Sequence, residues 1–364
     1  MSGNRAIVGV VGAGTMGAGI AQVALEGGHE VLLHDVEQAA IERGRSRVRD
    51  GLARRASRME LDAHSIDEWV SGRLSRLHDE LHLEAVGERA AIVIEAALED
   101  VNLKRTIFRA LDGASGPDVM LASNTSALSI DAIAAATARP GRVLGLHFFN
   151  PAPVMALVEV VAGPRTNSAV ADRAAALMVA WGKTPVRCVD SPGFIVNRVN
   201  RPFTLEALRM VEAGAAGVEA IDAAMRDMGF PLGPFELIDL AGLDINLAAS
   251  TGIWEGLGHP ERLRPSALLA RLIAGGRLGR KAGRGFYRYE GGARGPVEPE
   301  FSGGATLLDP VGIRTRILSA IDAEARLAVA EGVASEHDVD LALRLGAAHP
   351  SGPFERAATP TIDR

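Results

Sequence analysis

The chain has 364 residues, 39 of them basic and 45 acidic for a net charge of -6, with 47% apolar residues, 41 Gly and 18 Pro. That composition excludes a disordered chain, a collagen and a disulfide scaffold, because the apolar content can fill a large core and Cys188 is the single cysteine. The acidic balance argues against nucleic acid, no apolar run is long enough for a membrane span, and the lack of a charged leader makes the cytoplasm the expected location.

Residues 6–11 read as a buried strand that runs directly into Gly12-Ala13-Gly14-Thr15-Met16-Gly17, followed by a helical pattern through Ala18, Ile20, Ala21, Val23, Ala24 and Leu25. Gly27 and Gly28 stop that helix, and a second strand at 30–34 ends at Asp35, the spacing of a βαβ unit. Residues 37–89 contain no strand-like run and predict a projecting helical pair, rich in arginine at 43, 45, 47, 49, 54, 55 and 58. Strands follow at 91–94, 119–122, 143–146, 157–161 and 185–189, with helices at 99–111, after a Ser129 cap, and at 168–181. The fold class is α/β: an open sheet of roughly eight strands, some of the later ones antiparallel, followed by an all-helical part. Within that part, residues 194–236 match 312–355 as a diverged repeat, with Pro231-Leu232-Gly233-Pro234-Phe235-Glu236 against Pro350-Ser351-Gly352-Pro353-Phe354-Glu355. The boundaries fall near 190 and 289, with a Gly-, Pro- and Glu-rich linker at 290–306 and the second repeat at 307–364.

Gly12, Gly14 and Gly17 form a G-x-G-x-x-G between strand and helix, where a tight turn, pyrophosphate approach and helix packing each require a missing side chain. Asp35 at the end of the second strand is placed to meet an adenosine ribose and to repel a 2′-phosphate, which selects NAD over NADP. His147 follows a strand, and Glu159 is a lone acid in an apolar one; the two can pair as a proton carrier and its orienting carboxylate. The bland readings stay open beside these: a satisfied core histidine, a solvated edge-strand acid, Ser126 as a turn cap, Asn197 as packing, Lys104 as a solvated helix residue, Lys281 as a loop residue and the arginine run as a solvated face. His78 and His82, i,i+4 on a predicted helix, lack the order and the third ligand of a metal site, so no metal is expected. Cys188, inside an apolar strand, reads as packing.

Taken together, Gly12 to Gln22, Ser123-Asn124-Thr125-Ser126, His147-Phe148-Phe149-Asn150-Pro151, Leu157-Val158-Glu159-Val160, Pro192 to Arg198, Gly233-Pro234-Phe235-Glu236 and Gly283 to Tyr287 resemble the L-3-hydroxyacyl-CoA dehydrogenase family over residues 5 to about 290. The resemblance implies a Rossmann-type NAD-binding domain at 1–190 with a CoA-binding arm at about 37–89, and a helical C-terminal domain at 191–289. It implies His147 and Glu159 as the catalytic pair, with Ser126 and Asn197 holding substrate. NAD contacts fall on Asp35, Glu99, Lys104, Ser126, Asn150 and Lys281, besides the glycine loop with Thr15 and Met16. Two of the chain's three lysines, at 104, 183 and 281, thus land on cofactor positions. The arm carries arginine where individual CoA contacts do not transfer. The second repeat has Thr315 in place of Asn197 and resembles the duplicated tail of longer bacterial dehydrogenases.

The expected reaction is reversible, NAD-dependent oxidation of an (S)-3-hydroxyacyl-CoA to a 3-oxoacyl-CoA, in fatty-acid, butanoate or phenylacetate metabolism. Two readings compete: a dehydrogenase of a small free hydroxy acid or sugar acid, as in the related L-gulonate dehydrogenase, and a crystallin-like dinucleotide-binding protein without turnover. The expected partner is an acyl-CoA substrate, with neither nucleic acid nor membrane, and the second repeat is expected to stand in for a dimer partner, with a whole-chain homodimer still open.

Overall fold

Alternating apolar strands and amphipathic helices account for the first of two compact units, into which the chain divides between Ser191 and Pro192. The computed structural model describes residues 6–60, 62–302 and 307–358. The expected linker and second repeat extend into 303–306 and 359–364, which lie outside the described residues.

The first unit runs β1 (Ile7–Val11), α1 (Thr15–Glu26), β2 (Glu30–His34), α2 (Gln38–Ala56), α3 (Ala63–Leu74), β3 (Leu77–Glu80), α4 (Leu83–Arg89), β4 (Ile92–Glu95), α5 (Val101–Ala114), β5 (Met120–Ser123), α6 (Ile130–Ala134), β6 (Val143–Phe148), β7 (Leu157–Ala162), α7 (Ser168–Ala180) and β8 (Thr184–Val189). The strands form one eight-stranded sheet in the order β3-β2-β1-β4-β5-β6-β7-β8, parallel except where β6 meets β7. The order reverses beside β1, between β2 and β4, and the glycine loop leaves the carboxyl end of β1 at that switch point. Val8, Val10, Leu33 and Ile94 from these strands share one apolar core with Ile20, Ala24 and Leu25 of α1. Each of the Val, Leu and Ile side chains contributes about 1.5–3 kcal/mol by leaving water.

The arm departs from the expected helical pair. Besides α2 and α3 it contains α4, and between α3 and α4 Leu77–Glu80 returns to the sheet as edge strand β3, paired among the described residues with β2. Its short, charged sequence Leu-His-Asp-Glu blunts the sheet edge. His78 therefore sits on a strand and His82 just before α4, so the two do not share a helix face.

The second unit contains α8 (Val196–Val199), α9 (Arg201–Glu212), α10 (Val218–Asp227), α11 (Pro234–Ala241), α12 (Leu243–Gly256), α13 (Ala267–Ala274), β9 (Tyr287–Glu290), β10 (Ala293–Val297), α14 (Pro310–Ala330), α15 (Glu336–Gly346) and α16 (Pro353–Ala358). The expected linker is in part ordered: β9 and β10 pair as an antiparallel hairpin around Gly291 and Gly292, both at positive φ (55° and 81°). Glu298, fully buried after this hairpin, is held by Arg284 and Arg288 at 2.8 and 3.2 Å, which keeps its carboxyl at about 2.

The repeat is structural as well as sequential. Asp222 accepts the Phe235 and Glu236 amides at 2.9 and 3.3 Å, and Asp340 accepts the Phe354 and Glu355 amides at 2.9 and 3.0 Å. A Cβ on Gly233 or Gly352 would sit 2.3 or 2.2 Å from those Asp oxygens, so both copies require glycine there. The copies pack through α9 and α14. Arg198 bonds Glu324 at 2.8 Å and Arg316 bonds Glu206 at 3.0 Å, two pairs exchanged by the repeat. Reciprocal pairing of this kind is the signature of a two-fold interface, here closed within one chain.

Candidate active site

The glycine loop is shaped for a phosphate. Gly12 has φ 100°, and a Cβ there would meet the Ala96 carbonyl oxygen at 2.6 Å; a Cβ on Gly17 would meet the Gly12 oxygen at 1.7 Å. Gly14 is the opposite case: a Cβ would find no atom within 4 Å, so the loop leaves open space where a ligand must approach. Gly14 is also the N-cap of α1, without side-chain cap or first-turn acid, leaving the helix's N-terminal N–H groups to an anion. Thr15 is exposed and Met16 half-buried on that first turn.

Asp35 follows β2 and accepts the Ala13 amide through Oδ2 at 2.9 Å, while the Gly12 amide donates to the His34 oxygen at 2.8 Å. The carboxylate is thereby fixed beside the loop. A dinucleotide fits this arrangement with its pyrophosphate over Gly14 and its adenosine ribose at Asp35. Asp35→Ser is expected to narrow the preference for NAD over NADP by at least about tenfold, read as the ratio of kcat/KM values, since it removes a charge-assisted bond and a repulsion together. An unchanged ratio would place selection elsewhere.

Lys104 corrects the solvated-helix reading. It is 1% exposed, with Nζ 2.6 Å from Glu95 Oε1 and 3.3 Å from Glu99 Oε2. Glu95, fully buried at the end of β4, also accepts the Ser123 hydroxyl at 2.7 Å and the Ala97 amide at 2.6 Å. Glu99 accepts the Ser126 amide at 3.0 Å and the Thr125 hydroxyl. Expected cofactor residues Lys104 and Ser126 are thus joined through Glu99, while Lys104 is anchored from below by Glu95, which sequence reasoning missed. Its signal was available: an acid closing the apolar run Ile92-Val93-Ile94, as Glu159 interrupts its own strand. Thr125 caps the turn by accepting the Leu128 amide at 2.9 Å. Asn150 is exposed after β6, and Lys281, half-exposed in the second unit, is held 2.7 Å from Asp244. That ammonium holds the Asp244 carboxyl below its usual range.

His147 and Glu159 face each other across β6 and β7, in direct register. Antiparallel pairing brings the side chains together, and His147 Nδ1 lies 2.6 Å from Glu159 Oε2. Glu159 is fully buried and His147 is 6% exposed, so the solvated edge reading does not hold for Glu159. Asn197 lies in α8 of the second unit, half-buried, within the helical start of the repeat.

A further feature of the first unit is a groove of about 460 Å³ between α1, α2 and the loop at 150–154, lined by Thr15, Arg47, Arg54, Arg55, Arg58 and Asn150. The arginine run therefore divides. Arg45 bonds Asp79 and the Leu77 oxygen at 2.9 Å and fastens β3, whereas Arg47, Arg54, Arg55 and Arg58 share the groove.

Comparison with known proteins agrees with this architecture. The family description "3-hydroxyacyl-CoA dehydrogenase, NAD binding domain" matches residues 7–191, and "3-hydroxyacyl-CoA dehydrogenase, C-terminal domain" matches both 193–289 and 313–364. The second repeat therefore gives a second, shorter match to the family's C-terminal domain. A 3-hydroxyadipyl-CoA dehydrogenase of Escherichia coli is 46% identical over 285 residues, 78% of this chain and 59% of that protein's own length. The human mitochondrial hydroxyacyl-coenzyme A dehydrogenase is 40% identical over 284 residues, covering 77% of this chain and 90% of the relative. The crystal structure of an Escherichia coli 3-hydroxybutyryl-CoA dehydrogenase superposes with a TM-score of 0.88 at 36% identity, covering 98% of this chain and 91% of that one. A glycine loop open at Gly14, a buried His–Glu pair and a helical domain with an internal repeat have one common explanation: the chain belongs to the 3-hydroxyacyl-CoA dehydrogenase family, NAD-dependent oxidoreductases of 3-hydroxyacyl-CoA thioesters.

Proposed function

We propose that His147 is the proton carrier of this reaction and Glu159 its positioning partner, a reading supported above all by the buried 2.6 Å contact between them. NAD, when bound, supplies the hydride acceptor for C3. Glu159 engages Nδ1, which fixes the tautomer and leaves Nε2 as the nitrogen that takes the hydroxyl proton of an (S)-3-hydroxyacyl-CoA. The carboxylate then offsets the positive charge that develops on the ring; in the reverse direction the imidazolium returns the proton to the 3-oxo oxygen. Ser126 and Asn197 orient the reacting oxygen and the thioester carbonyl, so that binding energy from the distant CoA aligns C3. Asp35, the glycine loop, Glu99, Lys104, Asn150 and Lys281 hold the cofactor, with Lys104 acting mainly through Glu95 and Glu99.

The groove of Arg47, Arg54, Arg55 and Arg58 is the proposed seat of the CoA phosphates, since guanidinium groups bind phosphate in a fork geometry and four converge there. The second repeat covers the face that a homodimer buries, with the reciprocal Arg198–Glu324 and Arg316–Glu206 pairs in place of contacts between subunits. No helix among the described residues is long and apolar enough to cross a membrane; a cytoplasmic location remains the proposal.

An NADH-oxidation panel tests this reading. Acetoacetyl-CoA and longer 3-oxoacyl-CoAs should be reduced, and free 3-oxo acids should not. Arg54→Ala with Arg58→Ala should raise KM for the thioester by about tenfold or more with a smaller change in kcat, because each lost phosphate contact removes roughly 1 kcal/mol or more. Turnover of free acids at rates matching their thioesters would favour the small-acid dehydrogenase instead.

A further inference from the structure

Three arginines among the described residues are buried: Arg142, Arg198 and Arg201. Arg142 grips Asp112 at 2.6 Å and Arg198 grips Glu324 at 2.8 Å. Arg201, the first residue of α9 and 8% exposed, has no carboxylate within ion-pair distance among the described residues. Its Nη1 lies 3.4 Å from Ser250 Oγ, whose proton goes to the Asn246 carbonyl oxygen, and its Nε has no hydrogen-bond partner among the described residues. The Asn246 side-chain oxygen is buried and likewise without a partner. Asn246 and Ser250 stand one turn apart on α12, so both face the same way. Burial alone pulls the Arg201 guanidinium down to about 10, which still leaves a full cation at neutral pH. A buried, uncompensated charge weakens a fold, and the other two buried arginines each have an anion.

The repeat says what kind of role this charge serves. Arg198 and Arg316, Glu206 and Glu324, and Asp222 and Asp340 keep their identities between the two copies. Asn197 and Arg201 do not: their equivalents are Thr315 and Ser319, both exposed. The residues lost together from the second copy are the proposed substrate-holding asparagine and the guanidinium one helical turn beyond it. Arg201 thus diverges together with Asn197, while the carboxylate-paired buried Arg198 beside them is kept as Arg316.

We propose that Arg201, with Ser250 and Asn246, receives the terminal carboxylate of a dicarboxylic 3-hydroxyacyl-CoA, whose reacting end lies on the Asn197 side. This rests on the dehydrogenase reading above and adds the substrate class. A carboxylate offers the guanidinium two parallel hydrogen bonds and can take further bonds from the Ser250 hydroxyl and, once its side chain is turned, the Asn246 amide. An acyl chain ending in a methyl group gives the buried guanidinium neither a counter-charge nor an acceptor for its Nε, which is how a polar site rejects an apolar analogue.

The test compares 3-oxoadipyl-CoA with 3-oxohexanoyl-CoA, thioesters of equal carbon number that differ in one terminal group, as substrates for NADH oxidation. The wild-type protein should show a kcat/KM at least about 30-fold higher for the dicarboxylic thioester. Arg201→Met should reduce that preference by at least about tenfold, mainly through KM for 3-oxoadipyl-CoA, and Arg201→Lys should retain part of it. A scaffold role predicts equal losses on both substrates and a lower melting temperature, whereas a ligand site predicts that Arg201→Met melts no lower than wild type. Should Arg201→Met fail to fold, Arg201→Gln carries the same comparison. Equal efficiency on the two thioesters in the wild type, or an unchanged preference in a folded Arg201 variant, overturns the carboxylate site and leaves the dehydrogenase reading intact. Failure to reduce either thioester overturns both.

Discussion

His147→Gln is expected to lower turnover by at least about 100-fold with a much smaller loss of NADH affinity, in line with acid–base contributions of roughly 10² to 10⁴. The argument is geometric. His147 sits opposite Glu159 in the β6–β7 register, its Nδ1 is committed to that carboxylate at 2.6 Å, and both groups are buried. Gln keeps hydrogen-bonding capacity but cannot carry a proton near neutral pH. Glu159→Gln should also act on kcat more than on KM and should alter the pH–rate profile, because the neutral amide no longer offsets an imidazolium. Near-normal turnover of the folded His147 variant would remove it from the chemistry, and an unchanged rate and pH profile in the Glu159 variant would dissolve the pair.

The second large effect is on stability. Glu324 is 1% exposed and holds two guanidinium groups, Arg198 Nε at 2.8 Å and Arg262 Nε at 2.6 Å. Glu324→Ala removes the buried anion shared by Arg198 and Arg262, leaves Arg198 to the half-exposed Glu331 at 2.7 Å, and is expected to cost about 3 kcal/mol in urea unfolding. Its repeat-equivalent, Glu206, is 12% exposed and pairs with the more exposed Arg316. Glu206→Ala should therefore cost only about 1–2 kcal/mol, because solvent screens the pair that is lost. Equal losses at the two positions would mean that the interface between the copies is energetically symmetric despite its unequal burial.

The strand–glycine loop–helix unit and the order of later strands were legible because both are written in local periods, apolar runs for buried strands and 3.6-residue spacing for helices. The His147–Glu159 pair was legible because each residue is out of place in its own segment: an acid inside an apolar strand, a histidine at a strand end. The repeat was legible because the motif Gly-Pro-Phe-Glu recurs, and the reason is now visible in the glycines that pack against Asp222 and Asp340. Strand β3 was not legible, since four residues with three polar side chains carry no apolar period. The β9–β10 hairpin was hidden by composition: its Gly291-Gly292 turn reads as linker until the pairing of Tyr289 with Arg294 is seen. Lys104 by itself reads as a solvated helix residue and only the resemblance marks it as a cofactor position; the tertiary contact with Glu95 shows why a lysine is buried there. Arg201 gave no local signal at all, since an unpaired buried charge is a property of the packed chain.

Hydride transfer can be followed directly by supplying (S)-3-hydroxybutyryl-CoA deuterated at C3 with NAD and measuring the mass of the NADH formed. The account predicts one deuterium in NADH for each acetoacetyl-CoA produced, with the rate falling at least about 100-fold in His147→Gln. Absence of label in NADH, or label appearing only when the free hydroxy acid replaces its CoA thioester, would contradict it.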